Sequence, residues 1–411
     1  MFPFKKNSKL KIGLVFLMIL LPFSFALNPD SNFDLSIIRI LIPILFLSWL
    51  LKSFSEKKLT IDTRFRAWLL IFIFLLAFTS LFWSANSVKA WRKILFLGSI
   101  FPLYWLLFPF LKEKLNFKLI LRLIFGTTFL SALIGLCQFF SQFIFGLERV
   151  FLFQAKLTPF FLGENFSKVV LEYNSWLVNL GGKTIFRTIG FFPDPHLFSL
   201  FLNISIPIGL YLYFKTKKLN FLIGTFFILS ASLLTFSRAG YLSLFLAFIF
   251  FWIFYLRKNW IWNTLLSLAL VLFFLIPNPV NQRFFSIFNF QDGSISERIT
   301  LWKTGIDITK NNFWTGVGIG NLSEEICPNS DQRIPIYAHN LFLDFSSELG
   351  FLGGLSVLLI LLAPVIAFFK KPTDKNFLIA TIFLIIIAHS MFETPFYSTR
   401  VLPLILTLLA L

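Results

Sequence analysis

"AHNLFLDFSSELGFLGGLSVLLILLAPVIAFF" runs from Ala338 to Phe369. From Gly350 onward it carries no charged residue, and this part is close to the ~20 apolar residues that take a helix across a hydrocarbon core. Just before it stand His339 and Asn340, followed by Asp344 and Glu348. The stretch reads as a membrane span whose entrance bears polar chemistry. Asn340, Asp344 and Ser347 share one helical face, and Asp344 and Glu348 sit where acidic groups offset the dipole of a helix start. A helix start also favours a neutral imidazole, so His339 is expected to be uncharged and fit to accept a proton from a hydroxyl.

Composition extends that reading to the whole chain. Of 411 residues, 57% are hydrophobic and 14% charged, against about 25% charged in an average soluble domain. Twelve apolar runs of spanning character are predicted, at about 12–27, 35–51, 67–83, 94–110, 123–145, 197–214, 219–236, 239–256, 260–276, 350–369, 376–391 and 397–411. The first follows a basic start (Lys5, Lys6, Lys9, Lys11) but lacks a small-x-small cleavage site, so it reads as a span rather than a signal peptide. The expected fold is an all-α integral membrane protein, one polytopic domain over 1–411. Two long extracytoplasmic segments, 146–196 and 277–349, contain short amphipathic helices.

The net charge of +18 would suggest a nucleic-acid partner in a soluble protein. In a membrane protein the positive-inside rule accounts for it, and no nucleic acid is expected. With the N-terminus inside, 21 of the 37 Lys and Arg fall in the short cytoplasmic segments, about fourfold denser than elsewhere. Both termini are thus expected in the cytoplasm and both long segments outside. Cys137 and Cys327 are expected at different depths, which speaks against a disulfide or a metal site.

No Asp, Glu, Lys or Arg lies near the middle of a predicted span. Ion-coupled carriers keep such groups there, which weighs against an exporter without removing one for a large neutral or lipid substrate. All three histidines, His196, His339 and His389, fall toward the outer side. In "FRTIGFFPDPHLFSLFLN" (Phe186 to Asn203), Pro193 and Pro195 bracket Asp194 and force a turn into a helix start, with Arg187 upstream. An arginine and a helix N-terminus together suit an anion such as phosphate. "FSRAG" (Phe236 to Gly240) joins two spans with almost no loop, leaving Arg238 to find an anion or carbonyls. In "SISERITLWKTGIDITKNNFWTGVGIGN" (Ser294 to Asn321), Ser294 and Glu297 form a capping box, and Ile295, Ile299, Trp302 and Ile306 make an apolar stripe. Arg298 begins the polar side, and Gly316, Gly318 and Gly320 predict a tight, close-packed turn. Glu393, in "HSMFETPF", is a further outer carboxylate placed to orient a base or pair with an arginine.

Taken in order, "RTIGFFPDPHLFSLFL", "SRAGYLSLFLAF", "ERITLWKTGIDITKNNFWTGVGIGN" and "AHNLFLDFSSELGFLGG" resemble the O-antigen ligase and polymerase family of membrane glycosyltransferases. The resemblance covers about 187–354 and rests elsewhere on span number and orientation. It implies a metal-independent, cofactor-free, inverting transferase working at the outer face of the plasma membrane. The donor would be a glycan on undecaprenyl diphosphate. The acceptor would be a lipid A-core sugar or other surface acceptor for a ligase, a further repeat unit for a polymerase. Carried over by motif, Arg187, Arg238 and Arg298 would hold the diphosphate and His339 would serve the acceptor hydroxyl. Asn340, Glu393 and Asp194 would support them. His196 departs from the family pattern, which often has a small residue or asparagine there.

Overall fold

The computed structural model describes residues 8–30, 33–112, 114–254, 276, 278–286, 293–326 and 337–411. These residues are predominantly helical. Among the described residues, six helices are long and apolar enough to cross a membrane: Ile38–Ser55, Phe65–Phe82, Ser87–Leu111, Leu115–Phe145, Pro195–Thr216 and Leu341–Lys370. Leu219–Leu233, Arg238–Phe254 and Val401–Ala410 are shorter apolar helices. Their starts are encoded locally. Asp194 caps the Pro195 helix by accepting from the His196 and Leu197 amides, both at 2.8 Å, with Pro195 preset at the first position. Asn340 caps the Leu341 helix in the same way.

The Asp374–Ser390 helix packs against Pro195–Thr216, Arg238–Phe254 and Leu341–Lys370. The last helix, Val401–Ala410, is buried at every residue and rests on Pro102–Leu111. At ten residues it rises only about 15 Å, half a hydrocarbon core. The run predicted as a span at 397–411 is therefore an internal helix over the described length. The first predicted run is also shortened: its helix, Ser8–Leu20, gives way to a 3-10 turn and then a strand, Ala26–Asp30, paired antiparallel with Phe33–Ser36. A second hairpin, Leu177–Leu180 with Lys183–Phe186, follows the helices Leu147–Leu162 and Glu164–Glu172 in the first long segment. These hairpins are the departure from the all-α expectation. The predicted span at 260–276 lies outside the described residues except for Ile276, as do Cys327 and the side chain of Ser294.

The second long segment contributes Pro279–Phe285, Gly293–Asn311 and Leu322–Ile326. In Gly293–Asn311 the buried positions are Leu301, Gly305 and Ile308, while Ile306 is 41% exposed. The apolar stripe read from sequence is thus rotated. The buried face is the one that meets the Leu341–Lys370 helix, where the Ser347 hydroxyl donates to the Gly305 carbonyl at 3.0 Å.

The Leu341–Lys370 helix is broken at Gly350, whose φ of 74° and ψ of 176° are open essentially to glycine alone. The loop after Asn311 fills the break. Val317 and Gly318 amides donate to the carbonyls of Ser347 and Glu348, both at 2.9 Å, and the Phe351 amide donates to Phe313 at 2.8 Å. Gly316, Gly318 and Gly320 all take positive φ there, as the close-packed turn predicted. From Phe351 the helix continues to Lys370, about 30 Å, matching the span read from sequence.

Gly350→Ala is expected to destabilise the protein by at least about 2 kcal/mol, because a methyl group would strike the Trp314 carbonyl in a backbone region closed to alanine. Gly126→Ala, with open space around it, should be neutral or stabilising. Thermal unfolding in detergent checks both.

Candidate active site

Glu393 is the hub. Nη2 of Arg298 lies 2.8 Å from its Oε1 and Nδ1 of His339 lies 3.2 Å from its Oε2. The carboxylate is 8% exposed, and burial raises its proton affinity. The charge and hydrogen bond of His339, with the charge of Arg298, more than reverse this and hold it well below the usual range. His339 is affected in the opposite sense. Burial lowers its proton affinity, but the Glu393 charge and hydrogen bond outweigh that and raise it. The contacting carboxylate therefore acts on the imidazole against the helix start, which would lower its proton affinity. The bond to Glu393 occupies Nδ1 and leaves Nε2 as the working nitrogen.

The backbone that presents His339 is strained, with φ 51°, and it is held from behind. Asp344 accepts from the Ala338 amide at 2.7 Å with one oxygen and from the Thr394 hydroxyl with the other. One buried carboxylate thus fixes both the segment bearing His339 and the segment bearing Glu393. Asn340 is 5% exposed and spent on its cap. Around these lies an aromatic wall: Tyr337 stacks on Tyr397 with centroids 5.6 Å apart, Tyr397 stacks on Phe345 at 5.7 Å, and Tyr337 meets His339 edge-on. Buried Glu348 receives Lys93 at 2.6 Å and the Tyr397 hydroxyl at 3.1 Å.

A second group surrounds the turn at Phe236, another residue with positive φ (50°). Arg187, 3% exposed, donates from Nε to the Thr235 carbonyl at 2.6 Å and from Nη1 to Ser175 at 2.9 Å. Its buried Nη2 has no hydrogen-bond partner, a costly state for a charged donor. Arg283 donates to the Phe236 carbonyl, and Arg238 to the Ser286 hydroxyl at 3.1 Å. Burial first, then the nearby charges of Arg283 and Arg238, lower the proton affinity of Arg187 to about 9, partly offset by Tyr241 and Asp194. It remains a cation at neutral pH.

Asp194 and His196 join the two groups. His196 Nδ1 lies 2.9 Å from the Ser237 hydroxyl, next to Arg238. The Asp194 carboxyl is raised to about 6, by burial and then by the Glu393 charge, against its cap bonds and the Arg187 charge. Residues from both groups thus act on one carboxyl. Of the residues singled out by sequence, Arg298, His339 and Glu393 are in direct contact, while Arg187 and Arg238 gather at the second group. Arg283, Thr394 and Tyr337 were not singled out, and Asp344 was read only as a helix-start carboxylate. Arg283 had one local signal: "NPVNQRFF" holds an Asn-Pro helix start with a basic last turn.

Residues 223–358 match the family profile described as O-antigen ligase. The chain carries an O-antigen ligase family domain. The matched stretch covers about a third of the chain and contains Arg238, Arg283, Arg298 and His339. Arg187, Asp194 and Glu393 reach the O-antigen ligase domain from either side of it. No curated protein matches the chain. The profile match and the apolar helices fit a membrane protein similar to O-antigen ligases.

Replacing Glu393 with Gln is expected to lower the proton affinity of His339. The midpoint for carbethoxylation of His339, followed by peptide mass spectrometry against pH, should move to lower pH. An unmoved midpoint would show that Glu393 does not set it.

Proposed function

We propose that this chain transfers a glycan from undecaprenyl diphosphate to an acceptor hydroxyl, as a ligase, at the outer face of the plasma membrane with both termini in the cytoplasm. The observation that carries the reading is the pairing of an oriented imidazole with a nearby arginine group linked to it through Asp194 and His196. Arg187, Arg238 and Arg283 hold the diphosphate, and the orphaned Nη2 of Arg187 belongs to this group. Arg298 departs from the role expected of it: its contact with Glu393 makes it a positioning residue for His339. The acceptor oxygen attacks the anomeric carbon from the face opposite the diphosphate. The bond to the diphosphate breaks with its electron pair, the hydroxyl proton passes to Nε2 of His339, and the anomeric centre inverts. Arginine forks stabilise the charge growing on the leaving group. No step calls for a metal or a cofactor.

With purified protein, glycan-loaded undecaprenyl diphosphate and a lipid A-core acceptor, His339→Ala and Arg238→Ala are each expected to cut transfer at least about 100-fold without loss of inserted protein. Retained transfer in both variants would overturn the assignment. A single glycolipid product marks a ligase; a ladder of repeat lengths would mark a polymerase. Carrier moved across liposomes without transfer would mark an exporter.

A further inference from the structure

The end of the bundle away from His339 holds a second charged assembly. The helix Phe65–Thr79 begins there; its other end reaches the site side, where the Ser80 hydroxyl accepts from the Ile319 amide. The helix Asp374–Ser390 likewise begins there and ends four residues short of Thr394. At this far end Asp62 is 3% exposed and is fully engaged: Arg64 binds both its oxygens, at 2.9 and 2.8 Å from Nε, and the Tyr104 hydroxyl donates to it. The same phenol oxygen accepts from Arg66 Nε at 3.1 Å. Arg64 and Lys112 both lie over the Phe108 ring, at 4.7 and 4.5 Å. Lys375 lies 4.9 Å over Phe117, within the field of Arg66 and Arg64.

Among the described residues, Arg64, Arg66 and Lys375 gather near one carboxylate, Asp62, that is already spent. Arg66 and Lys375 are half-buried between helices, and among the described residues neither makes an ion pair. Arg66 is fixed through Tyr104 and Asp62 rather than left to swing, so the guanidinium is pre-organised. Apolar side chains flank the assembly and face outward, Phe65 at 62% and Leu115 at 79% exposure. A small soluble anion gains nothing from them; a phosphate carrying acyl chains does.

We propose that Arg66 and Lys375, backed by Arg64 and Lys112, seat the phosphate of an anionic phospholipid between the helices at the end of the bundle opposite the glycan site. Basic clefts between spans are suited to such headgroups. The seat stands apart from the transfer reaction and does not depend on it.

The test titrates the full chain in detergent with phosphatidylglycerol, phosphatidylcholine or inorganic phosphate, counting bound lipid by native mass spectrometry and following thermal unfolding. Phosphatidylglycerol should be retained and should raise the midpoint, with no comparable effect of the other two. Lys375→Gln, at the rim of the cleft, should weaken retention about fivefold, and Arg66→Gln with Lys375→Gln about 25-fold. If the double variant does not fold, Lys375→Gln alone decides. Equal retention of both lipids, equal stabilisation by inorganic phosphate, or unchanged phosphatidylglycerol retention in Lys375→Gln would overturn the proposal.

Discussion

A helix in lipid cannot leave backbone amides and carbonyls unpaired, and the break at Gly350 frees several of them. The loop from Phe313 to Gly320 supplies the missing partners from outside the helix. Much of the site depends on this exchange. It lets the first two and a half turns of the Leu341–Lys370 helix, from Leu341 to Leu349, bury Asp344, Ser347 and Glu348, while the following residues cross as an apolar rod. It also seats the Gly293–Asn311 helix against Ser347, which brings Arg298 to Glu393.

Around that interlock the electrostatics are arranged in pairs of unequal strength. Glu393 divides its two oxygens between a permanent cation and a titratable one. The permanent cation keeps the carboxylate charged, and the carboxylate in turn raises the basicity of the imidazole. A more basic imidazole is the better proton acceptor once deprotonated, at the cost of a smaller neutral fraction. The arginines near Phe236 are held differently: among their contacts are backbone carbonyls and hydroxyls.

Much of the frame was legible in the sequence because apolar length and charge-free runs are local properties. Pro195 after Asp194, and Asn340 before Leu341, announced their helices through capping chemistry that needs only neighbours. The glycines at 316, 318 and 320 announced a tight turn, though not the helix break it fills. What sequence could not supply was anything set across long separations. The proton affinity of His339 is raised by a residue 54 positions away, an influence that a rule about helix starts does not contain. The buried face of Gly293–Asn311 is the one packed on the Leu341–Lys370 helix, with Ser347 bonded to the Gly305 carbonyl 42 positions away. Arg283 stood in a segment with no periodic signal strong enough to mark it, and its importance comes only from the turn it reaches. The short buried helix Val401–Ala410 looked like a span because full burial in protein and full burial in lipid demand the same side chains.

Arg400, at the head of that helix, is 2% exposed. Its guanidinium donates to the carbonyls of Ser24 at 3.2 Å and Phe161 at 3.0 Å and lies over the Phe192 ring. Three separate stretches of chain are thereby riveted to one cation. Sliding any of them past the others would strip a buried charge of its ligands, a penalty of several kcal/mol. The N-terminal hairpin, the Leu147–Leu162 helix and the Phe192 turn must then travel as one plate. Any opening of the candidate site then has to come from motion of other elements.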